Sequence, residues 1–260
     1  MNRFMLMACA VATVWLAGCA TQPTEGPDYG LQRGDDSAAQ QRARAHTDLG
    51  VSYFQVGSNG VALQELQDAV QADPDYGPAY NGLGLVYMKL NENGKAERAF
   101  QRALSINPND SEANNNYGWF LCQTGHESES IKYFVGALRN PLYRTPYKAY
   151  INAGVCSKKA GDLASAQDFF LKALHYRPSQ SDALYNLADI FYTHGNYGQA
   201  KSYLDRYDRL ARPTAKSLWL GARIAHRLGN GVSEAQYASA LRQNFPGSDE
   251  AKALMNGQFR

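Results

Sequence analysis

Between Gly77 and Asp110 apolar residues recur at helical spacing with polar residues between them. Tyr80, Leu83, Gly84 and Tyr87 form one face, and Ala96, Phe100, Ala103 and Leu104 form a second. The pattern predicts two helices, A and B, joined by a turn. Gly84 and Ala96 are small where the two helices must approach closely, while Tyr80, Leu83, Tyr87 and Phe100 fill the space beside them. Pro108 is expected to end helix B and start the next helix. Stepping back along the chain finds the same face at Leu49-Gly50, Tyr53, Ala62, Leu66, Ala69 and Pro74. Forward steps find Tyr117-Gly118, Leu121, Ser130 and Phe134, then Tyr150, Ala153-Gly154, Ala166, Phe170 and Pro178, after a two-residue slip between Arg139 and Pro146. A fifth copy carries Leu184, Leu187-Ala188, Phe191, Ala200 and Leu204, with Pro213 one place late. The sixth is weaker: Leu220-Gly221, Ile224, Ser233, Tyr237, Ala240-Leu241 and Pro246.

The unit from Gly77 to Asp110 resembles a tetratricopeptide (TPR) repeat at each diagnostic position of that motif's ~34 residues. One such pair cannot bury its apolar face alone, so repetition is what the physics requires. The resemblance implies an all-α fold, a right-handed α-solenoid superhelix of six TPR helix pairs plus a short C-terminal capping helix. The repeats fall at about 43–76, 77–110, 111–144, 147–180, 181–213 and 214–247, within a body spanning 37–260. Ser37 and Gln40 have the form of a capping box, so the first helix is expected to begin at Ser37 or Ala38, ahead of the repeat frame.

Upstream of the repeats, Met1-Asn2-Arg3 is a short basic segment and Phe4 to Leu16 an apolar one, too short for a permanent membrane span. It reads as a signal peptide, residues 1–18. Leu16-Ala17-Gly18-Cys19 resembles a bacterial lipobox, which implies cleavage before Cys19 and acylation of that residue. Several acyl chains hold a protein stably where one would not. Ala20 follows in place of Asp, which by the same resemblance implies the outer membrane. Residues 19–36, rich in Thr, Gln, Pro, Gly and Asp, read as a flexible lipid-anchored tether.

Composition narrows the chemistry. Lys and Arg number 26 against 24 Asp and Glu, and the signal peptide contains only Arg3 of these, so the body is nearly neutral and nothing points to nucleic acid. The five histidines, His46, His126, His175, His194 and His226, are spread over separate repeats, and the sequence holds no H-E-x-x-H, G-x-S-x-G or P-loop. No catalytic residue, metal site, cofactor or small-molecule substrate is expected, because the six repeats use nearly all of the body. Apart from Cys9 and Cys19 the cysteines are Cys122 and Cys156, on neighbouring A helices by the TPR frame. Two readings stay open at this point: a bridge between them in an oxidising compartment, or two buried thiols packing as small apolar groups.

Function is then expected on a surface. In the TPR fold, positions 2, 5, 9, 12 and 13 of each A helix line the inner groove. In the first four repeats they include Val51, Phe54, Leu85, Met88, Asn115, Trp119 and Val155, an apolar and aromatic floor suited to an apolar partner segment. About half of that stripe is expected to serve packing between repeats instead. The Asn and basic residues of TPR domains that clamp a C-terminal carboxylate are missing.

Three stretches are not generic TPR sequence: Asn115 to Cys122, the insert Asn140 to Pro146, and Leu218 to Ala225. With the lipobox and six repeats they resemble the PilF/PilW family of type IV pilus biogenesis lipoproteins over nearly the whole chain. The resemblance implies a pilotin-like scaffold, not an enzyme. It would lie on the periplasmic face of the outer membrane, bind the secretin subunit PilQ and promote its localisation and multimerisation. It also favours the Cys122–Cys156 bridge, since both cysteines fall in the family's third and fourth repeats. An adaptor for another envelope machine, a peptidoglycan synthase or a protease, would use the same fold and anchor.

Overall fold

The computed structural model describes residues 37–259. The expected signal peptide (1–18), the acylated Cys19 and the tether up to residue 36 lie outside the described residues, as does residue 260. Thirteen helices and no strand occur among the described residues. Six antiparallel pairs follow one another: α1 (Ala38–Gln55) with α2 (Asn59–Ala72), α3 (Gly77–Lys89) with α4 (Asn93–Ile106), and α5 (Ser111–Gln123) with α6 (Glu127–Ala137). Then come α7 (Pro146–Lys159) with α8 (Leu163–Tyr176), α9 (Ser181–Thr193) with α10 (Tyr197–Asp208), and α11 (Ala215–Arg227) with α12 (Gly231–Asn244). The short α13 (Asp249–Met255) packs on α11 and α12 and closes the series. Each A helix touches its own B helix and the next A helix, and each B helix touches the A helix that follows, the nearest-neighbour pattern of a solenoid.

Local chemistry sets the helix ends. The Ser37 hydroxyl accepts the Gln40 N–H at 3.1 Å, so α1 begins where the capping signal placed it, ahead of the repeat frame. Thr214 and Ser217 form a reciprocal capping box at the start of α11. Pro108 does not start a helix as expected. It sits in the turn after α4, and Asp110 begins α5 by accepting the Ala113 N–H at 3.0 Å. The A-to-B turns depend on one backbone conformation: Gly57, Asn91, Gly125, Gly161, Gly195 and Gly229 have positive φ, each two residues past the end of its A helix. Gly has no steric penalty there, and Asn is the side chain that tolerates it best.

Close approach is set by a glycine and an aromatic ring in four of the six pairs, and in the first by Gly50 and Leu66, where an added Cβ would lie 2.7 Å from the leucine. A Cβ added to Gly84, Gly118 or Gly154 would lie 2.5, 2.9 or 2.7 Å from the ring of Phe100, Phe134 or Phe170, all fully buried. The small residue of helix A thus faces the ring on helix B, not Ala96 alone. The fifth pair makes the opposite choice, with Ala188 and the smaller Leu204, both buried. In the insert, the Asn140 side chain accepts the Leu142 N–H at 2.9 Å, and Tyr143 turns inward against Ala137 and Ala149. Two extra residues are thereby taken up while α7 keeps its place.

The sixth pair departs from the expected frame. Gly221 still faces the Tyr237 ring, at 2.6 Å from an added Cβ, but the left-handed turn residue comes eight residues after it, at Gly229. In the other pairs that interval is seven, as from Gly84 to Asn91. By helix bounds the sixth unit begins at Ala215, one residue later than 214 and the regular 34 residues after Ser181.

Candidate partner-binding groove

Positions 5, 9 and 12 of the A helices, counted from the repeat frame, fall on one side of successive helices. In the first four repeats Val51, Phe54, Leu85, Met88, Trp119 and Val155 are all half-buried. Their buried portions join the packing between repeats. Phe54 lies against Leu66, Leu83 and Val86; Leu85 and Met88 lie against Phe100, Tyr117 and Phe120. Trp119 lies against Cys122, Phe134 and Cys156, and Val155 joins the cluster of the fourth and fifth repeats. The rest of each side chain remains open, so the stripe is shared between core and surface.

Asn115 is different from its expected place on the groove wall. It is buried, its carbonyl oxygen accepts the Asn152 amide at 3.0 Å, and its own amide reaches Asn116 at 3.4 Å. Asn116 in turn donates to Asn81 at 3.1 Å. The chain of four amides ties the second, third and fourth A helices across the groove floor, because a buried amide must find a partner. Cys122 and Cys156 are joined, with Cα atoms 5.8 Å apart and both side chains fully buried. Beside them Lys159 donates to the Cys122 carbonyl at 2.9 Å and pairs with Glu127 at 3.0 Å. The Glu127 carboxyl is held below the usual carboxylate range by its backbone hydrogen bond and by Lys159.

The same stripe changes character toward the C-terminal end. Lys158 Nζ pairs with Asp189 Oδ2 at 2.6 Å, and Asp189 Oδ1 lies 3.8 Å from the Arg223 guanidinium. That guanidinium stands 4.6 Å over the Tyr192 ring and 5.7 Å from the Trp219 ring. Burial, reinforced by Asp189, pushes the Tyr185 phenol up to about 12. Trp219, Arg223 and His226 hold groove positions 5, 9 and 12 of the sixth repeat, which sequence reading missed because it set that frame from Gly221. The turn glycine Gly229 carries the signal that corrects it. Elsewhere His46 of α1 and Glu65 and Asp68 of α2 bring their ligand atoms within 4.8 Å of one another, and His46 Nδ1 lies 2.8 Å from Glu65 Oε2.

Residues 77–110, 99–132 and 158–219 match tetratricopeptide-repeat families. The solved structure of PilW, described as a widely conserved type IV pilus biogenesis factor, is 35% identical, with a TM-score of 0.75, and the match covers 83% of this chain and 99% of that one. The chain belongs to the PilF/PilW family of tetratricopeptide-repeat proteins. The type IV pilus assembly protein PilF of Pseudomonas aeruginosa is 28% identical over 237 residues, 91% of this chain and 92% of that protein. A solved P. aeruginosa PilF structure covers 84% of this chain and 99% of its own at a TM-score of 0.80 and 26% identity. The matches to PilF and PilW cover between 83% and 91% of this chain.

Proposed function

We propose that this chain is a lipid-anchored TPR scaffold of type IV pilus biogenesis that holds an apolar segment of the secretin subunit PilQ in its inner groove. The observation that carries the reading is the row of half-buried apolar side chains on groove positions of the first four repeats, in a chain of the PilF/PilW family. An extended or helical apolar segment fits such a floor, because it buries both surfaces without leaving charges unpaired. Acyl chains on Cys19 would fix the scaffold to the periplasmic face of the outer membrane. Tethering there raises the local concentration of captured secretin where the ring must form, and so favours multimerisation with no chemical step. The role is that of an adaptor and not an enzyme.

Two substitutions separate the parts. Cys19→Ser should leave the body helical while secretin fails to reach the outer membrane; normal ring assembly in that variant would remove the anchor from the account. Leu85→Glu places a charge on the groove floor and should abolish capture of PilQ by the purified protein while circular dichroism stays helical. Undiminished capture would exclude the groove. Peptidoglycan synthases and proteases, tested in the same pull-down, should not be retained.

A further inference from the structure

Beyond α13 the chain turns at Gly257, with φ 65, and Phe259 returns onto the inner side of the last two repeats. Its ring stacks on His226, with centroids 4.3 Å apart and planes 16° from parallel, and lies 5.3 Å from Trp219. The Tyr192 hydroxyl donates to the Phe259 carbonyl at 3.2 Å. His226 and Trp219 are groove positions 12 and 5 of the sixth repeat, and Tyr192 is position 12 of the fifth. The segment therefore occupies the continuation of the groove whose earlier part is open. Arg223, between them, has a buried Nε with no hydrogen-bond acceptor among the described residues.

The segment also borders the end of the solenoid, where Phe259 packs along the edge of the Leu218, Leu241 and Leu254 cluster and the Gln258 N–H donates to the Ala253 carbonyl at 3.0 Å. The buried closure of that end comes from α13, whose Ala251 and Leu254 lie against α11 and α12. Contacts from Phe259 to groove positions consist of ring stacking and one bond to a main-chain carbonyl, a set that any extended segment with an aromatic side chain could reproduce. The site offers two aromatic faces, a hydroxyl donor for main chain and an arginine with a donor to spare.

We propose that the inner face of the fifth and sixth repeats is a second docking site, for an extended partner segment bearing an aromatic side chain, and that Gly257–Phe259 is the self-held occupant which such a segment displaces. The site is separate from the apolar groove of the first four repeats and does not depend on what binds there. A tethered occupant lowers apparent affinity by the fraction of molecules in which the site is open. With an open state of about 1–10%, removing the occupant should tighten binding about ten- to hundredfold.

The test uses the full mature chain and its Phe259→Ala variant, titrated by calorimetry with a synthetic peptide of the chain's own residues 255–259 and a control peptide with Ala in place of its Phe. The expected result is saturable binding of the Phe peptide to the variant, at least tenfold tighter than to the parent chain. The Trp219 indole N–H resonance should move on binding, and the control peptide should not bind. Equal affinity for variant and parent, or for the two peptides, would overturn the proposal. So would a Phe259→Ala variant that melts markedly lower and binds nothing, since the segment would then be a structural cap. Concentration-dependent dimers of the parent chain that vanish in Phe259→Ala would assign the seat to a second copy, and would overturn it too.

Discussion

Replacing Gly154 with Ala tests how each helix pair is held together. Alanine in a helix interior gains about 0.5–1 kcal/mol over glycine from backbone entropy. Against that, the new Cβ would lie 2.7–2.8 Å from three carbons of the Phe170 ring. Carbon contacts are most favourable at about 3.5–4.0 Å, so ring or helix must yield by about 0.8 Å. Phe170 is fully buried, which leaves it nowhere to move without displacing its neighbours. Overpacking of this kind costs about 1–3 kcal/mol, so the net loss should be about 1–2 kcal/mol. For a body of this size that lowers the thermal midpoint by about 2–8 °C. The fifth pair supplies the precedent, because Ala188 and Leu204 stand at the matching positions and share one buried cluster. Phe170→Leu alone should cost about 1–2 kcal/mol through the cavity it leaves. The double variant Gly154→Ala/Phe170→Leu should cost about 1 kcal/mol less than the two single losses together. Urea unfolding followed by circular dichroism measures all four proteins. A Gly154→Ala variant as stable as the parent, or strictly additive losses, would refute the account of the pair interface.

Three further outcomes are expected. Replacing Cys122 and Cys156 together by Ala opens a loop whose ends are 34 residues apart, and should cost about 3–4 kcal/mol in urea unfolding; an unchanged midpoint would show that the bridge does not constrain the unfolded chain. Burial raises the phenols of Tyr143 and Tyr185 to about 12, against about 10 in the unfolded chain. Both are protonated in either state below pH ~10, and above it the unfolded chain ionises first, so stability should fall as pH rises from about 10 to 12. Absorbance at 295 nm should show late-titrating tyrosines, and Tyr185→Phe should flatten the loss; a loss of the same slope in that variant would contradict the assignment. Asn152→Ala leaves the buried Asn115 oxygen without its partner and should cost about 1–3 kcal/mol, read from the thermal midpoint, whereas a neutral result would deny the amide chain a structural role.

The pair architecture was legible because each unit needs the same small and aromatic residues at the same spacing, and six weak signals reinforce one another. Helix ends were legible where a side chain signs them, as at Ser37, and misread at Pro108, where Asp110 holds the capping position. The slip in the sixth unit escaped because Gly221 still faces an aromatic ring, while the turn residue that shows the shift, Gly229, lies outside the small and aromatic positions that define the repeat frame. That slip in turn hid Trp219, Arg223 and His226 from the groove. Asn115 looked like a surface amide because sequence gives its helix face but not Asn152 waiting on the next helix. Contacts between distant segments, such as His46 with Glu65 or Phe259 with His226, leave no trace in local periodicity.

The central claim is that the inner groove of the early repeats holds a segment of secretin. A photo-crosslinking residue placed at Leu85 in living cells tests it directly, with the same residue at the exposed Gln67 of α2 as control. The account predicts an adduct with PilQ from Leu85 and none from Gln67; adducts from Gln67 alone, or from neither position, would contradict it.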